Sequence, residues 1–187
     1  MRVYRLHGEP RSDLGSSAAR RLRRAGHVPC ALYRKGIQEN FLIPVSEAQK
    51  VVFTPHVYLF EVLLKDTLHT AVLREYQLHP VHDYVLHLDF MACGMEDEIS
   101  VALPVKFVGV AEGVQMGGKL VPLLRRLRVR GKVKDLPDAL EVDVSSLKLG
   151  KTLTAGKLSF PGLQVLSSPD TALARVEVPR ALRTQQG

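Results

Sequence analysis

The densest group of chemically active side chains is a run of arginines around Leu22. Arg20, Arg21, Arg23 and Arg24 fall within five residues. A helix with Leu22 turned inward spreads their guanidinium groups along its flanks. Guanidinium groups bind phosphate oxygens bidentately and stack on bases, which suits structured RNA. The alternative is a solvated helix face, but such faces usually carry glutamates four positions away, and none occurs between residues 15 and 26. We therefore favour phosphate binding.

A second group of polar side chains lies between Gln77 and Asp89 and includes His79, His82 and His87. If residues 85–90 form a strand, His87 and Asp89 project from the same face, because strand side chains repeat every two residues. Such a pair can hydrogen bond to base edges, act in acid–base catalysis or hold a metal. The spacing matches no helical metal-binding motif. A further alternative is a set of polar residues on the wet face of a half-buried strand.

Five basic residues in the second half occupy alternate positions: Arg126, Arg128, Arg130, Lys132 and Lys134. A strand here would place their charges on one face and the apolar residues between them on the other. Two interpretations are equally supported by this pattern. The row is either a second surface that follows phosphates, and so a secondary RNA contact, or a solvated outer face whose cations protect a sheet edge.

Composition supports a polyanion partner without choosing among partners. The 187 residues include 26 Lys and Arg against 19 Asp and Glu, a net charge of +7 that favours binding to polyanions. No apolar run approaches the length of a membrane span, and no secretory signal is visible. Two cysteines, Cys30 and Cys93, do not make a disulfide framework and are expected to be reduced. These features predict a cytoplasmic protein with no membrane partner.

Enzyme signatures are missing from the sequence. There is no Walker-type loop, Gly-x-Ser-x-Gly elbow or dinucleotide fingerprint. The glycine-rich stretch 113–118 lacks the Lys-Ser/Thr ending of a phosphate loop and predicts a turn. We therefore expect no catalytic residues, no cofactor and no small-molecule substrate. The enzymatic alternative is a metal-dependent hydrolase that uses the cluster between His79 and Asp89.

Short strands are the elements that must position these groups. In the first half the predicted strands are 2–7, 30–33, 41–44, 58–64, 68–77 and 85–92. A serine after Gly15 is expected to cap the arginine helix, Gly26 to stop it, and a second short helix to begin at Ser46. In the second half, strands are predicted at 99–104, 105–108, 120–133, 140–144 and 171–178. All seven histidines precede residue 88, and we place a domain boundary near Gly94, giving domains 1–93 and 94–187.

Several of these motifs together resemble a known family. Residues 15–29 have the sequence GSSAARRLRRAGHVP, followed by ALY at 31–33, QLHP at 77–80 and LHLDF at 86–90. The second half adds VKFVG at 105–109, GV at 113–114, GG at 117–118, LP at 136–137, EVDV at 141–144 and LG at 149–150. In order and spacing this set is similar to the bacterial ribosomal protein L-twenty-five family, in its long two-domain form of the general stress protein CTC type. The resemblance covers nearly the whole chain.

The resemblance implies a mainly β protein with a few short helices, built from an N-terminal β-barrel RNA-binding domain and a C-terminal β-rich domain. It implies a structural component of the large ribosomal subunit that binds loop E of 5S rRNA, with magnesium held by the RNA and no metal held by the protein. Carried over by position, the residues that would contact RNA are Arg11, Arg20, Arg21, Arg23, Tyr33, Gln77, His79, His87 and Asp89. A protein-binding stress factor acting off the ribosome is the non-enzymatic alternative.

Overall fold

The computed structural model describes residues 1–34 and 36–178, and its chain divides into two compact units. The first unit is Met1–Asp97 and the second begins at Glu98. Within the described ranges, no helix is both long enough and apolar enough to cross a membrane. Lys35 lies outside the described residues.

The first unit is a closed six-stranded barrel with two helices. Its elements are β1 (Arg2–Pro10), α1 (Ser16–Arg24), β2 (His27–Arg34), β3 (Ile37–Pro44), α2 (Val45–Val52), β4 (Tyr58–Leu64), β5 (Thr67–Leu78) and β6 (Val85–Ala92). Around the barrel the strands follow the order β1, β3, β2, β6, β5, β4. Two pairs are parallel, β1 with β4 and β2 with β6, and the other neighbours are antiparallel.

Alternating apolar side chains fill the interior of the barrel. Phe41, Leu88 and Phe90 are completely buried, and α2 contributes Ala48 and Val51 to the same core. Because side chains alternate across a strand, burial of Leu88 and Phe90 directs the intervening polar residues of β6 to the outside. The predicted fold class, mainly β with an N-terminal barrel and a β-rich second half, is confirmed.

The second unit contains two separate sheets. Its elements are β7 (Glu98–Val108), α3 (Glu112–Gln115), β8 (Lys119–Pro122), β9 (Arg126–Lys132), β10 (Leu140–Asp143), β11 (Thr152–Thr154), β12 (Leu163–Val165) and β13 (Ala172–Glu177). One sheet has the order β10, β7, β9, β12 and the other the order β11, β13, β8. Single 3-10 turns cover Val133–Asp135 and Ala155–Lys157.

Three element predictions in the second unit were wrong. Residues 98–108 form one strand through Pro104, which pairs with β9 up to that proline and with β10 beyond it. The predicted strand 120–133 is divided into β8 and β9, which belong to different sheets. The predicted turn at 113–118 begins within α3 instead, and Gly113 packs so closely on the backbone of Leu149 that a Cβ there would lie 2.5 Å from its nitrogen.

Candidate RNA-binding surface

Helix α1 is fastened to the outside of the barrel by one of its arginines. It packs on β2 through Ala18, its buried residue. The side chain of Arg23 is half-buried, and its Nε donates a hydrogen bond of 3.0 Å to the backbone carbonyl of Leu86 in β6. Arg20 and Arg24 are exposed. The helix therefore presents cations to solvent while Arg23 fixes its position beside the outer face of β6.

Two details of the helix differ from the expectation. The residue at its N-cap is Gly15, with φ of 100°, and no side chain caps the helix, so the predicted serine cap is wrong. A left-handed φ of this kind favours glycine. Arg21 forms an exposed ion pair of 2.7 Å with Asp13 in the preceding loop. Asp13 precedes the helix, so the spacing of helical side chains does not predict this contact.

Strand register brings the predicted polar residues of β2, β5 and β6 to one outer face. Asp89 lies opposite Ala31 on β2 and opposite Glu75 on β5. One step along, His87 lies opposite Gln77. Directly opposed residues share a face of the sheet. Glu75 was not predicted as part of this surface, although its two-residue spacing from Gln77 on β5 carried the signal.

Asp89 is the centre of this face. Its Oδ2 lies 3.2 Å from Nδ1 of His87, while its Oδ1 is buried and has no hydrogen-bond partner in the part of the chain that the structure describes. Burial, followed by the negative charge of Asp89 and a hydrogen bond to it, raises the pKa of the Tyr33 hydroxyl. Tyr33 is 41% exposed. The structure thus brings Tyr33 close to His87 and Asp89. The sequence predicted only that His87 and Asp89 share a strand face.

Arg11 is a partly buried cation near Asp89. Its Nε and Nη1 are inaccessible to solvent and have no hydrogen-bond partner among the described residues, although its backbone N–H donates to the carbonyl of Asn40. Burial raises the pKa of the Cys30 thiol, with Arg11 opposing this shift and Asp89 adding to it. Both charges therefore lie near Cys30.

His79 lies in the turn between β5 and β6. Its Nδ1 accepts the backbone N–H groups of Val81 and His82 at 3.3 Å each, which leaves Nε2 as the N–H donor of the ring. The ring stacks on Tyr84, with centroids 4.6 Å apart, and on His82, at 5.0 Å. These contacts of His79 stay within its own turn. His87 instead contacts Asp89 on the outer face of the barrel. The placement of His79 on the RNA-contacting surface remains a prediction.

Metal ligation finds no geometric support in the residues described. No three His, Cys, Asp or Glu side chains among them lie close enough together to hold an ion. Nδ1 of His79 accepts backbone hydrogen bonds within its turn, and His87 contacts Asp89. The predicted metal ligands between His79 and Asp89 are therefore split between two separate places. The arrangement provides hydrogen-bond donors and acceptors beside a row of arginines.

The basic row of the second unit lies on β9. Arg126, Arg128, Arg130 and Lys132 are exposed and the residues between them are buried. Lys134 follows in the 3-10 turn after the strand, so the prediction of five cations on one strand face was wrong by one residue. β9 pairs with β7 along its whole length and with β12 only from Val129 to Gly131, so edge protection does not apply to that stretch of the strand.

Comparisons with known proteins agree across the whole chain. The Ribosomal L25p family matches residues 6–90, and the family described as Ribosomal protein TL5, C-terminal domain, matches residues 98–180. Proteins named large ribosomal subunit protein bL25 are similar over nearly their entire length. The one from Azobacteroides pseudotrichonymphae is 37% identical, with 98% of each chain covered. Those from Porphyromonas gingivalis and Phocaeicola vulgatus are 35% and 36% identical, with 98% of this chain and 96% of theirs covered.

Proposed function

The chain belongs to the bL25 family of large ribosomal subunit proteins, which are not enzymes, and from this premise we propose that it binds 5S rRNA at loop E. Binding is assigned to the domain predicted at residues 1–93. The surface consists of the exposed arginines of α1 and the outer barrel face around Asp89. Family membership removes the hydrolase alternative. The protein works on the ribosome by shape and charge recognition.

One observation carries the proposal, namely the unpaired buried polar atoms of Arg11 and Asp89. Buried polar groups in proteins are almost always hydrogen-bonded, because leaving one unpaired costs about 1–3 kcal/mol. Among the described residues, two guanidinium nitrogens and one carboxylate oxygen lack hydrogen-bond partners. Satisfying them requires a partner that offers acceptors as well as a donor, as RNA does. The unpaired atoms therefore favour a partner with mixed hydrogen-bonding chemistry over a simple polyanion.

The remaining residues divide between positioning and recognition. Arg20 and Arg21 lie exposed on α1 and neutralise phosphates. These contacts fix the position of the protein on the RNA but do not distinguish one base sequence from another. Tyr33, Gln77 and His87 surround Asp89 and contact sugars or base edges. An irregular internal loop exposes such edges, whereas a regular A-form helix hides most of them in its deep major groove. Magnesium in this mechanism is bound by the RNA, because the protein face needs none of its own.

Binding to two RNAs tests the proposal with the intact chain. The first is 5S rRNA, and the second is the same molecule with loop E replaced by Watson–Crick pairs. We expect the second to bind about a hundredfold more weakly, equivalent to roughly two lost charged hydrogen bonds. Equal affinities would show that the face around Asp89 does not recognise the loop and would overturn the proposal.

A further inference from the structure

Asp13 holds one of the arginines that the proposed function assigns to phosphate. It lies between the end of β1 and the start of α1, and Nη2 of Arg21 donates a hydrogen bond of 2.7 Å to its Oδ2. Between Glu9 and Glu39 it is the only acidic residue, in a stretch that contains six arginines and one lysine. We propose that Asp13 competes with RNA phosphates for Arg21 and thereby lowers the affinity of the protein for RNA of any sequence. The inference rests on the proposed function, in which Arg21 binds phosphate.

The competition follows from the geometry of the guanidinium group. Carboxylate and phosphate oxygens accept hydrogen bonds from the same N–H groups, and both favour a bidentate contact along one edge of the planar group. Nη2 belongs to the edge shared with Nε and to the edge shared with Nη1, so a carboxylate at this atom obstructs a bidentate phosphate. The negative charge of Asp13 also repels a phosphate that approaches Arg21 from another direction. A phosphate that binds Arg21 bidentately must therefore displace Asp13.

The exposure of the pair makes Asp13 a weak competitor rather than a permanent block. The side chains of Arg21 and Asp13 are 72% and 66% exposed. Ion pairs at such positions contribute little stability, because water and salt screen the attraction between the two charges. Asp13 belongs to neither β1 nor α1, so it can leave Arg21 without breaking a hydrogen bond of a strand or helix. We expect the competition to lower RNA affinity by about twofold to fivefold.

The contact with a carboxylate distinguishes Arg21 from the other arginines of α1. Arg20 and Arg24 are exposed, and in the described part of the chain neither of them is paired with a carboxylate. Arg23 donates through Nε to the backbone carbonyl of Leu86, which is a neutral acceptor. Asp13 therefore acts on a single arginine of the helix. Its effect on RNA binding should disappear when that arginine is removed, which a general effect of charge would not do.

The test uses Asp13→Asn in the full-length protein, which keeps the shape of the side chain and removes its charge. Binding is measured by fluorescence anisotropy with 5S rRNA and with a loop-free RNA duplex of about 20 base pairs. We expect the variant to bind both RNAs about twofold to fivefold more tightly than the wild type, because a phosphate contact is common to specific and nonspecific binding. The matched control is Glu9→Gln, which removes the same charge from an exposed position near the end of β1 and should change affinity less.

A double-mutant cycle with Arg21→Gln decides whether Asp13 acts through Arg21. Arg21→Gln should bind both RNAs more weakly, and adding Asp13→Asn should then have no more effect than Glu9→Gln has, because the carboxylate no longer has a guanidinium group to hold. Thermal melting checks that each variant is folded.

Three results would overturn the competition between Asp13 and phosphate. The first is equal or weaker RNA binding by Asp13→Asn, where weaker binding would mean that Asp13 positions Arg21 for RNA. The second is equal tightening by Glu9→Gln, and the third is tightening that persists without Arg21. The proposed function fails by a different result, which is equal binding to 5S rRNA with and without loop E.

Discussion

Replacing Asp89 with asparagine separates specific recognition from general electrostatic attraction. The substitution keeps the shape of the side chain but exchanges one carboxylate oxygen for an N–H₂ group. If that group faces His87, the contact of 3.2 Å to Nδ1 must reverse its donor and acceptor. If it occupies the position of the buried Oδ1, an acceptor without a protein partner becomes a donor, and the RNA donor it should bind is left unpaired.

The expected cost follows from the burial of these atoms. A buried group left without its partner costs about 1–3 kcal/mol, which corresponds to roughly 5-fold to 150-fold in affinity for 5S rRNA. The salt slope should remain nearly constant, because Asp89 neutralises no phosphate. A purely electrostatic binder would respond in the opposite direction, since removal of a negative charge strengthens attraction to RNA.

Glu75→Gln is the matched control for this experiment. Glu75 lies directly opposite Asp89 on β5 and is exposed, so the variant removes the same charge from the neighbouring position. Both variants are titrated with 5S rRNA at several salt concentrations after thermal melting confirms that they fold. We expect Glu75→Gln to bind as tightly as the wild type or more tightly, and Asp89→Asn to bind more weakly. Equal or tighter binding by Asp89→Asn would refute the specific contact.

Three further predictions concern the first unit. Arg20→Gln should reduce the salt slope of 5S binding by about 0.7–0.9, the contribution of one phosphate contact, and an unchanged slope would exclude that contact. Arg23→Lys keeps the charge but loses the Nε donor to Leu86, so stability measured by urea unfolding should fall by about 1–2 kcal/mol and α1 should exchange amide hydrogens faster. Burial and the hydrogen bond to Glu47 raise the pKa of Tyr4 to about 12, so its contribution to stability is complete below pH 10 and is lost as the pH rises through 12. Tyr4→Phe should unfold with a weaker pH dependence in that range, and identical profiles would contradict this account.

The sequence predicted best those features that depend on local alternation. The shared face of His87 and Asp89 followed from two-residue periodicity, and so did the exposed cations of β9. The burial of the Arg11 guanidinium nitrogens had no such signal, because Arg11 follows the last residue of β1 and lies outside the strand's alternation. The pairing of Arg21 with Asp13 was missed for a related reason, since loop geometry sets it.

Two element predictions in the second unit were wrong because strands change partners or sheets there. Pro104 is compatible with a continuous β7 because the strand changes its hydrogen-bonding partner at that residue. The run after Lys119 was treated as one strand because its apolar residues continue, yet the chain leaves one sheet and joins another between Pro122 and Arg126. Sheet membership is decided by tertiary pairing, which a single sequence does not encode locally.

The two parallel strand pairs of the barrel have a consequence for folding during synthesis. β2 and β6 pair in parallel, and the hydrogen bond from Arg23 of α1 to Leu86 of β6 joins residues 63 positions apart in the chain. Pairings of such long range form slowly, because the entropy of closing the intervening loop must be overcome first. Tyr33 and Asp89 come together only when β6 pairs with β2, so the nascent chain cannot form the face around Asp89 before β6 has been synthesised. A chain that has not completed its barrel therefore carries the arginines of α1 without the groups that discriminate between RNAs.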